Sequence, residues 1–371
     1  MNLVVRAGVL AIIMVFAVIS PAIAQDNKPN VSADAAVLLD SATGQVLFAK
    51  NENKRMYPAS LTKIMTVLIA LESGCDQDEV ITVSRKAASW NAGSILGLQV
   101  NDKLTFENLL KSAMLVSAND STIAIAEHTA GEYDTFVNWM NLKAQLLGAR
   151  KTRFVNTHGW SHPNHYTTAL DLARITRYAL TNKEFVRLCS TREAVITWQD
   201  SDRKCKAWNT NRLLHSDYQG VDGVKTGTTA MAGDCLIASA TRQGRQLIAV
   251  VLHSDNRYQD ARKLLDYGFK SIRPVTACRE QEIIALVPVN GGLNSHATLV
   301  AGKTLNVWLP YEQQDQLVRE VRIDNEIQAP VRCGQKLGDI IFTVNGTRVG
   351  KIPLIAGGEV PKSPWYHLFK L

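Results

Sequence analysis

Ser60–Glu72 reads SLTKIMTVLIALE, a helix apolar on most of its faces, ended by Ser73-Gly74 and carrying a single lysine. A helix apolar nearly all round is stable only inside a core. Its surroundings are legible by pattern. Ala35–Lys50 sets alternating apolar residues on both sides of Ser41-Ala-Thr-Gly44 and reads as a hairpin. From about Leu104 to Gly148 the pattern is helical (ENLLKSAML, DSTIAIAEHTA, FVNWMNLKAQLLG), and another helix, ALDLARITRYAL, begins near Thr168-Ala169. Leu236–Ala240 and Leu247–His253 read as adjacent strands, and Arg257–Lys270 returns to helix. Composition shifts at Ile272-Arg-Pro274. Beyond it, EIIALVPV, TLNVWLP, LVREVRI, DIIFTV and RVGKIPLI alternate between Gly, Asn and Pro turns and predict a small all-β domain. The chain's 371 residues, 46% hydrophobic and 20% charged, suffice for two such units. No internal repeat or low-complexity tract is present.

The first 24 residues stand apart. Arg6 supplies a positive start, Ala7–Ile19 an apolar run, and Pro21-Ala-Ile-Ala24 a small-residue cleavage site, with Gln25 as the first mature residue. The alternative is an uncleaved anchor, but Asp26, Asn27 and Lys28 follow the site at once and favour release. No later segment is apolar for long enough to span a bilayer. The expected destination is therefore the periplasm. Cys75, Cys189, Cys205, Cys235, Cys278 and Cys333 are scattered, without a C-x-x-C pair or a Cys/His cluster, so neither a metal nor a cofactor is expected. Cys189 and Cys205 flank a short polar segment and either bridge it or remain free thiols. The formal charge of +7 comes without an arginine-rich or aromatic-interleaved basic run, which argues against nucleic acid. A mild positive field suits anionic wall polymer or phospholipid headgroups.

Three short motifs carry the chemistry. Ser60-Leu-Thr-Lys63 puts a lysine on the helix face of a serine three residues earlier. A lysine with a pKa lowered by burial can take the hydroxyl proton. Pro58 marks the helix start and leaves Ser60 among free backbone N–H groups. S-x-x-K alone recurs about once by chance in a chain this long, and Ser201-Asp-Arg-Lys204 repeats it in a polar stretch with no helix to bury the lysine. Ser117-Ala-Asn119, between two helical runs, offers a hydroxyl for proton relay and an amide for a substrate carbonyl. Ser89-Trp-Asn91 and Ser254-Asp-Asn256 share its form. Lys225-Thr-Gly227 occurs once, before an apolar strand. Lys225 and Thr226 can grip a carboxylate, and Gly227 lets a substrate backbone approach.

In this order the three form the active-site set of penicillin-binding proteins and serine β-lactamases. Tyr57–Thr66 (YPASLTKIMT), Leu115–Asp120 (LVSAND), Thr157-His-Gly159 and Gly223–Thr229 (GVKTGTT), followed by Ala232-Gly233, closely resemble the low-molecular-mass D-alanyl-D-alanine carboxypeptidases. The resemblance runs from about Ala35 through the C-terminal β domain and so covers nearly all of the mature chain. It implies an α/β fold of the β-lactamase and penicillin-binding-protein type, an antiparallel sheet flanked by helices with a helical subdomain, plus a small all-β domain. The expected divisions are 1–24 signal peptide, 25–272 catalytic domain, 273–360 β domain and 361–371 a short aromatic tail. The implied substrate is a peptidoglycan stem peptide ending in D-Ala-D-Ala, with β-lactams as covalent inhibitors. By resemblance, Ser60 is the acylated nucleophile, Lys63 its proton acceptor, Ser117 the relay to leaving D-alanine and Asn119 the holder of the substrate amide. Lys225 and Thr226 bind the terminal carboxylate, and the N–H groups of Ser60 and Thr228 form the oxyanion hole. Arg257, opening the helix after the last catalytic-domain strands, assists with the carboxylate.

Two departures stand out. Thr228 replaces a histidine found in several relatives, which puts substrate preference and deacylation rate in question. The tail, in which Trp365, Leu368 and Phe369 would share a helical face, suits marginal contact with the inner membrane rather than firm anchoring. Among rivals, a class A β-lactamase needs a glutamate that Arg153–Gly159 lacks. An endopeptidase cutting cross-links commonly lacks the β domain, and a silent wall-binding protein would not need every acylation residue.

Overall fold

The structure, a computed structural model, describes residues 28–323 and 326–364. The expected leader at 1–24 and the tail residues Trp365, Leu368 and Phe369 lie outside the described residues. The hairpin forms from Ala35–Asp40 (β1) and Val46–Lys50 (β2), paired antiparallel. A 3-10 turn, Ala59–Thr62, then leads into helix α1, Lys63–Glu72, buried from Lys63 through Ala70. The expected helix thus opens three residues later than Ser60. After Val80–Thr82 (β3), Arg85–Ser89 (α2) and Lys103–Thr105 (β4), the helical stretch resolves into Phe106–Leu115 (α3), Asn119–Ala130 (α4) and Tyr133–Leu146 (α5).

Thr168 caps Ala169–Ala179 (α6) by accepting the Asp171 N–H, and Asn182 caps Lys183–Ser190 (α7) the same way. A hairpin of Glu193–Thr197 (β5) and Lys204–Trp208 (β6) follows, then strands Val221–Thr229 (β7), Gly233–Arg242 (β8) and Arg245–Leu252 (β9), and helix Arg257–Lys270 (α8).

The main sheet runs β2-β1-β9-β8-β7, antiparallel throughout, with β7 at one edge. Its central strands are apolar without alternation because both faces are covered. Ala35, Val37 and Leu39 of β1 join α1 and α6 in one core, while Ala36 and Leu38 join Leu264 and Leu265 of α8 on the other face.

Past α8 come Ile272–Cys278 (β10), Ile283–Pro288 (β11), His296–Ala301 (β12), Leu305–Pro310 (β13), Leu317–Ile323 (β14), Lys336–Val344 (β15) and Thr347–Ala356 (β16). β10 pairs with β13, and the other five form a sheet ordered β11-β12-β16-β15-β14. Their inward residues, among them Leu299, Val307, Ile340, Phe342 and Leu354, make a core of their own. The molecule is thus a mixed α/β protein with antiparallel sheets and a β-rich C-terminal part. All six cysteines are free thiols.

Candidate active site

The 3-10 turn before α1 and strand β7 face each other across the site. Ala59 adopts φ +48°, and its carbonyl accepts the Thr62 hydroxyl at 2.8 Å. His165 completes that turn: its Nδ1 accepts the Val155 N–H, so Nε2 carries the proton toward Thr62 Oγ1, 2.9 Å away. Gly159 abuts the same turn. A Cβ there would fall 1.7 Å from the Ala59 oxygen, and its φ of +90° favours glycine as well.

Lys63 is fully buried. Its Nζ lies 3.0 Å from Ser60 Oγ, 2.7 Å from Asn119 Oδ1 and 2.9 Å from the His158 carbonyl. Burial pushes its pKa well below the ordinary lysine value, the charge of Lys225 adds to the effect, and Asp120 opposes it.

Ser117 occupies the break between α3 and α4 at φ +63°, buried, with its Oγ unpartnered among the described residues. Asn119 opens α4; besides meeting Lys63, its Nδ2 donates to Ala92 O at 2.8 Å. Asp120 beside it accepts the N–H groups of Leu96, Gly97 and Leu98, tying the loop ahead of β4 to the helix start.

On β7, Lys225 is buried and its Nζ donates to Thr226 O at 3.1 Å. Burial, then the Arg257 charge, lowers its pKa to about 7. Thr226 Oγ1 pairs with Thr210 Oγ1 at 2.7 Å. A Cβ on Gly227 would stand 3.0 Å from Ser60 N and 3.1 Å from Pro58 O, so glycine lets the strand pack closely on the serine turn. Arg257, first residue of α8, donates from Nη1 to Thr228 Oγ1 (2.7 Å) and Gly227 O (3.1 Å), and its Nε is buried without a partner among the described residues. Thr228 Oγ1 in turn donates to Asp234 at 2.9 Å.

The structure thus gathers the S-x-x-K serine and lysine, Asn119, the K-T-G strand and Arg257 in one region. The competing copies lie elsewhere in role. Ser201 and Lys204 are exposed, Ser89 is exposed at the end of α2, and Ser254 bonds Asp260 at the start of α8. Three contributors escaped the sequence: the His158 carbonyl, Asp120 and Thr210. The segment Thr157-His-Gly159 was a signal for the first.

The chain matches the family model described as D-alanyl-D-alanine carboxypeptidase, peptidase S11, over residues 22–256, and the penicillin-binding protein 5 C-terminal domain over 274–362. It is 32% identical over 347 residues to D-alanyl-D-alanine carboxypeptidase DacF of Bacillus subtilis, covering 91% of this chain and 88% of that protein. It is 33% identical to DacC of Escherichia coli over 355 residues, 92% of this chain and 87% of the other. The solved structure of penicillin-binding protein 5 from Haemophilus influenzae superposes with a TM-score of 0.74 at 30% identity, covering 90% of this chain and 99% of that one. By sequence and by fold, the chain belongs to the D-alanyl-D-alanine carboxypeptidase family, peptidase S11, with the C-terminal domain of penicillin-binding protein 5.

Proposed function

We propose that this chain is an exported serine D-alanyl-D-alanine carboxypeptidase that removes the terminal D-alanine of peptidoglycan stem peptides, with Ser60 as the acylated residue. The observation that carries the reading is the buried Lys63 amine 3.0 Å from Ser60 Oγ, with no carboxylate among the described residues bonded to it. A neutral amine there donates to Asn119 Oδ1 and the His158 carbonyl and keeps its lone pair for the serine proton. Ser60 Oγ then bonds to the carbonyl carbon of the penultimate D-alanine. The oxyanion faces the N–H groups of Ser60 and Thr228. As the C–N bond breaks, the unpartnered Ser117 hydroxyl relays the proton to the departing D-alanine amine, and water later hydrolyses the ester. Lys225, Thr226 and Arg257 hold the terminal carboxylate, Asn119 the substrate amide, and Gly227 gives the backbone room. A β-lactam opens on the same serine and stays.

Residues 1–24 direct export to the periplasm in this reading, 25–272 form the catalytic unit, 273–360 the β unit, and the aromatic tail touches the outer face of the inner membrane. No helix among the described residues is long and apolar enough to cross a membrane. Fluorescent penicillin provides the test, together with D-alanine release from a pentapeptide. Wild type should label stably and release one D-alanine per peptide, and Ser60→Ala should do neither. Release of none, with cleavage of cross-linked dimers instead, refutes the carboxypeptidase reading.

A further inference from the structure

Asp234, near the start of β8, lies opposite Thr228, and the strand then runs away from the K-T-G residues to end at Arg242, about 25 Å further on. There the β8–β9 turn makes Arg242 and Arg245 direct cross-strand partners. Like charges directly opposite on paired strands are destabilising. Aromatic rings fix both side chains. Arg242 Cζ lies 4.6 Å from the ring centroids of Tyr218 and of Phe269, and its Nε donates to Gln219 O at 3.1 Å. Arg245 stacks on Trp308 with its Nη2 buried and unpartnered among the described residues. Lys270, at the end of α8, and Arg273, on β10, line the same cleft of about 760 Å³. Arg273 is exposed, and among the described residues its side chain bonds only the carbonyls of Phe269 and Ile272. Burial lowers the pKa of Arg245, Asp40 opposes it, and the charge of Arg273 adds to it, so these two cations lie near each other. Among the described residues, two carboxylates meet the four cations. Asp40 is buried against Arg245, and Asp266 serves Lys270 at 3.1 Å, Arg242 at 3.9 Å and the Tyr218 hydroxyl at 2.8 Å.

The cleft therefore keeps more positive charge than its carboxylates offset, and it does so on side chains already held in place. Guanidinium forks match the oxygens of carboxylate and phosphate. A carboxylate fills one fork, whereas a phosphate offers more oxygens and more charge to cations that come from the β8–β9 turn, α8 and β10. We propose that this cleft is a phosphate-binding site, with Arg242 and Arg273 as its direct ligands, Lys270 at its rim and the buried charge of Arg245 behind them. The phosphate belongs either to a soluble ester or to a lipid headgroup, whose chemistry at the site is the same. Because Arg242 lies on the catalytic sheet and Arg273 on the strand that enters the β-rich part, the bound anion bridges the two. The site stands apart from Ser60 and holds whether or not the carboxypeptidase reading does.

Two probes test it on the full chain at fixed ionic strength: inorganic phosphate, followed by its phosphorus resonance, and vesicles of phosphatidylcholine alone or mixed equally with phosphatidylglycerol. Arg273→Gln and Arg242→Gln should each weaken binding roughly tenfold. Lys103→Gln, which removes an exposed charge from the separate β3–β4 sheet, should leave it unchanged. Melting curves and penicillin labelling at the wild-type rate check that the variants fold, and either arginine variant suffices if the other does not. Binding of inorganic phosphate with this pattern supports the site and assigns a soluble ligand. Binding of the phosphatidylglycerol vesicles alone, with the same pattern, supports it and assigns a headgroup. No binding of either probe overturns the site. So does binding that falls no further in the arginine variants than in Lys103→Gln, since the charge of the whole surface would then be what is read. Acetate binding as tightly as phosphate overturns it too.

Discussion

Two lysines share one buried site, and their surroundings give them different protonation. Lys63 is pushed far down by burial and by Lys225, while Lys225, lowered by burial and Arg257, titrates at about 7. His158 and His165, driven to about 2 and about 3 chiefly by burial, stay neutral in the working range and leave the pH profile to the lysines. As pH rises through about 7, Lys225 loses the charge that would hold a carboxylate. We expect kcat/KM for an acid-terminated peptide to fall on that alkaline limb, and a C-terminal amide analogue to lack it. Identical limbs for both would remove Lys225 from carboxylate binding. The same shift bears on stability. Lys225 titrates at 10.5 when unperturbed, so its contribution is full above that pH and is lost as pH falls through about 7. Lys225→Met should therefore abolish turnover yet stabilise the protein by roughly 1–4 kcal/mol near pH 7, read from denaturant unfolding. At this scale the sequence disclosed pairs and hid surroundings. Serine and lysine three apart must share a helix face, but the third partner of Lys63 is a main-chain carbonyl 95 residues away, which no side-chain pattern encodes. Thr210, opposite Thr226, sits in a loop with no motif at all.

Strand β7 and the serine turn pack closely enough that a Cβ on Gly227 would make tight contacts with three atoms of the turn. Gly227→Ala puts a Cβ 3.0 Å from Ser60 N in an otherwise ordinary strand, so the strand and the Ser60 turn move apart by a few tenths of an ångström. The expected result is a roughly tenfold to hundredfold slower acylation by penicillin with a small change in melting temperature. A variant acylated as fast as wild type would mean the turn can yield. Gly159→Ala meets both the Ala59 carbonyl at 1.7 Å and a φ of +90°, and should lose more than about 2 kcal/mol of folding stability. These packing demands also explain which elements were legible. Helix α8 was readable at both ends because its cap Asn256 and its periodicity are local. The helix expected from Ser60 begins instead as a 3-10 turn, with Ala59 at φ +48° and Gly159 packed on its carbonyl, a tertiary constraint invisible in SLTKIMTV. The β5–β6 hairpin went unread because only Ile196 and Ala207 of its residues turn fully inward, leaving too few apolar positions for a period to show.

At the scale of the molecule, the catalytic sheet is buried between two cores and the β-rich part keeps a third. Ile272 and Trp308 pack against the core that holds Leu264 and Leu265, and polar contacts join the seam beside them. Arg245 lies over the Trp308 ring at 3.5 Å while its Nε donates to Asp40 at 3.0 Å and its Nη1 to Gly268 O at 2.8 Å. Gln45 closes the seam with both ends of its amide, donating to Trp308 O and accepting the Trp308 N–H. Separate cores joined through such a seam are expected to unfold in separate steps. Denaturant should release the two parts in separate steps, followed by amide exchange in β8 and β9 against β15 and β16. Trp308→Ala removes a stack worth about 0.5–2 kcal/mol and should widen the gap between the steps. Penicillin labelling should persist while β8 and β9 remain protected, whatever the state of β15 and β16, because every group assigned to the chemistry lies between Ser60 and Arg257. If labelling and both sets of protected amides vanish together in one transition, the cores form one folding unit and the seam carries far more than a stack.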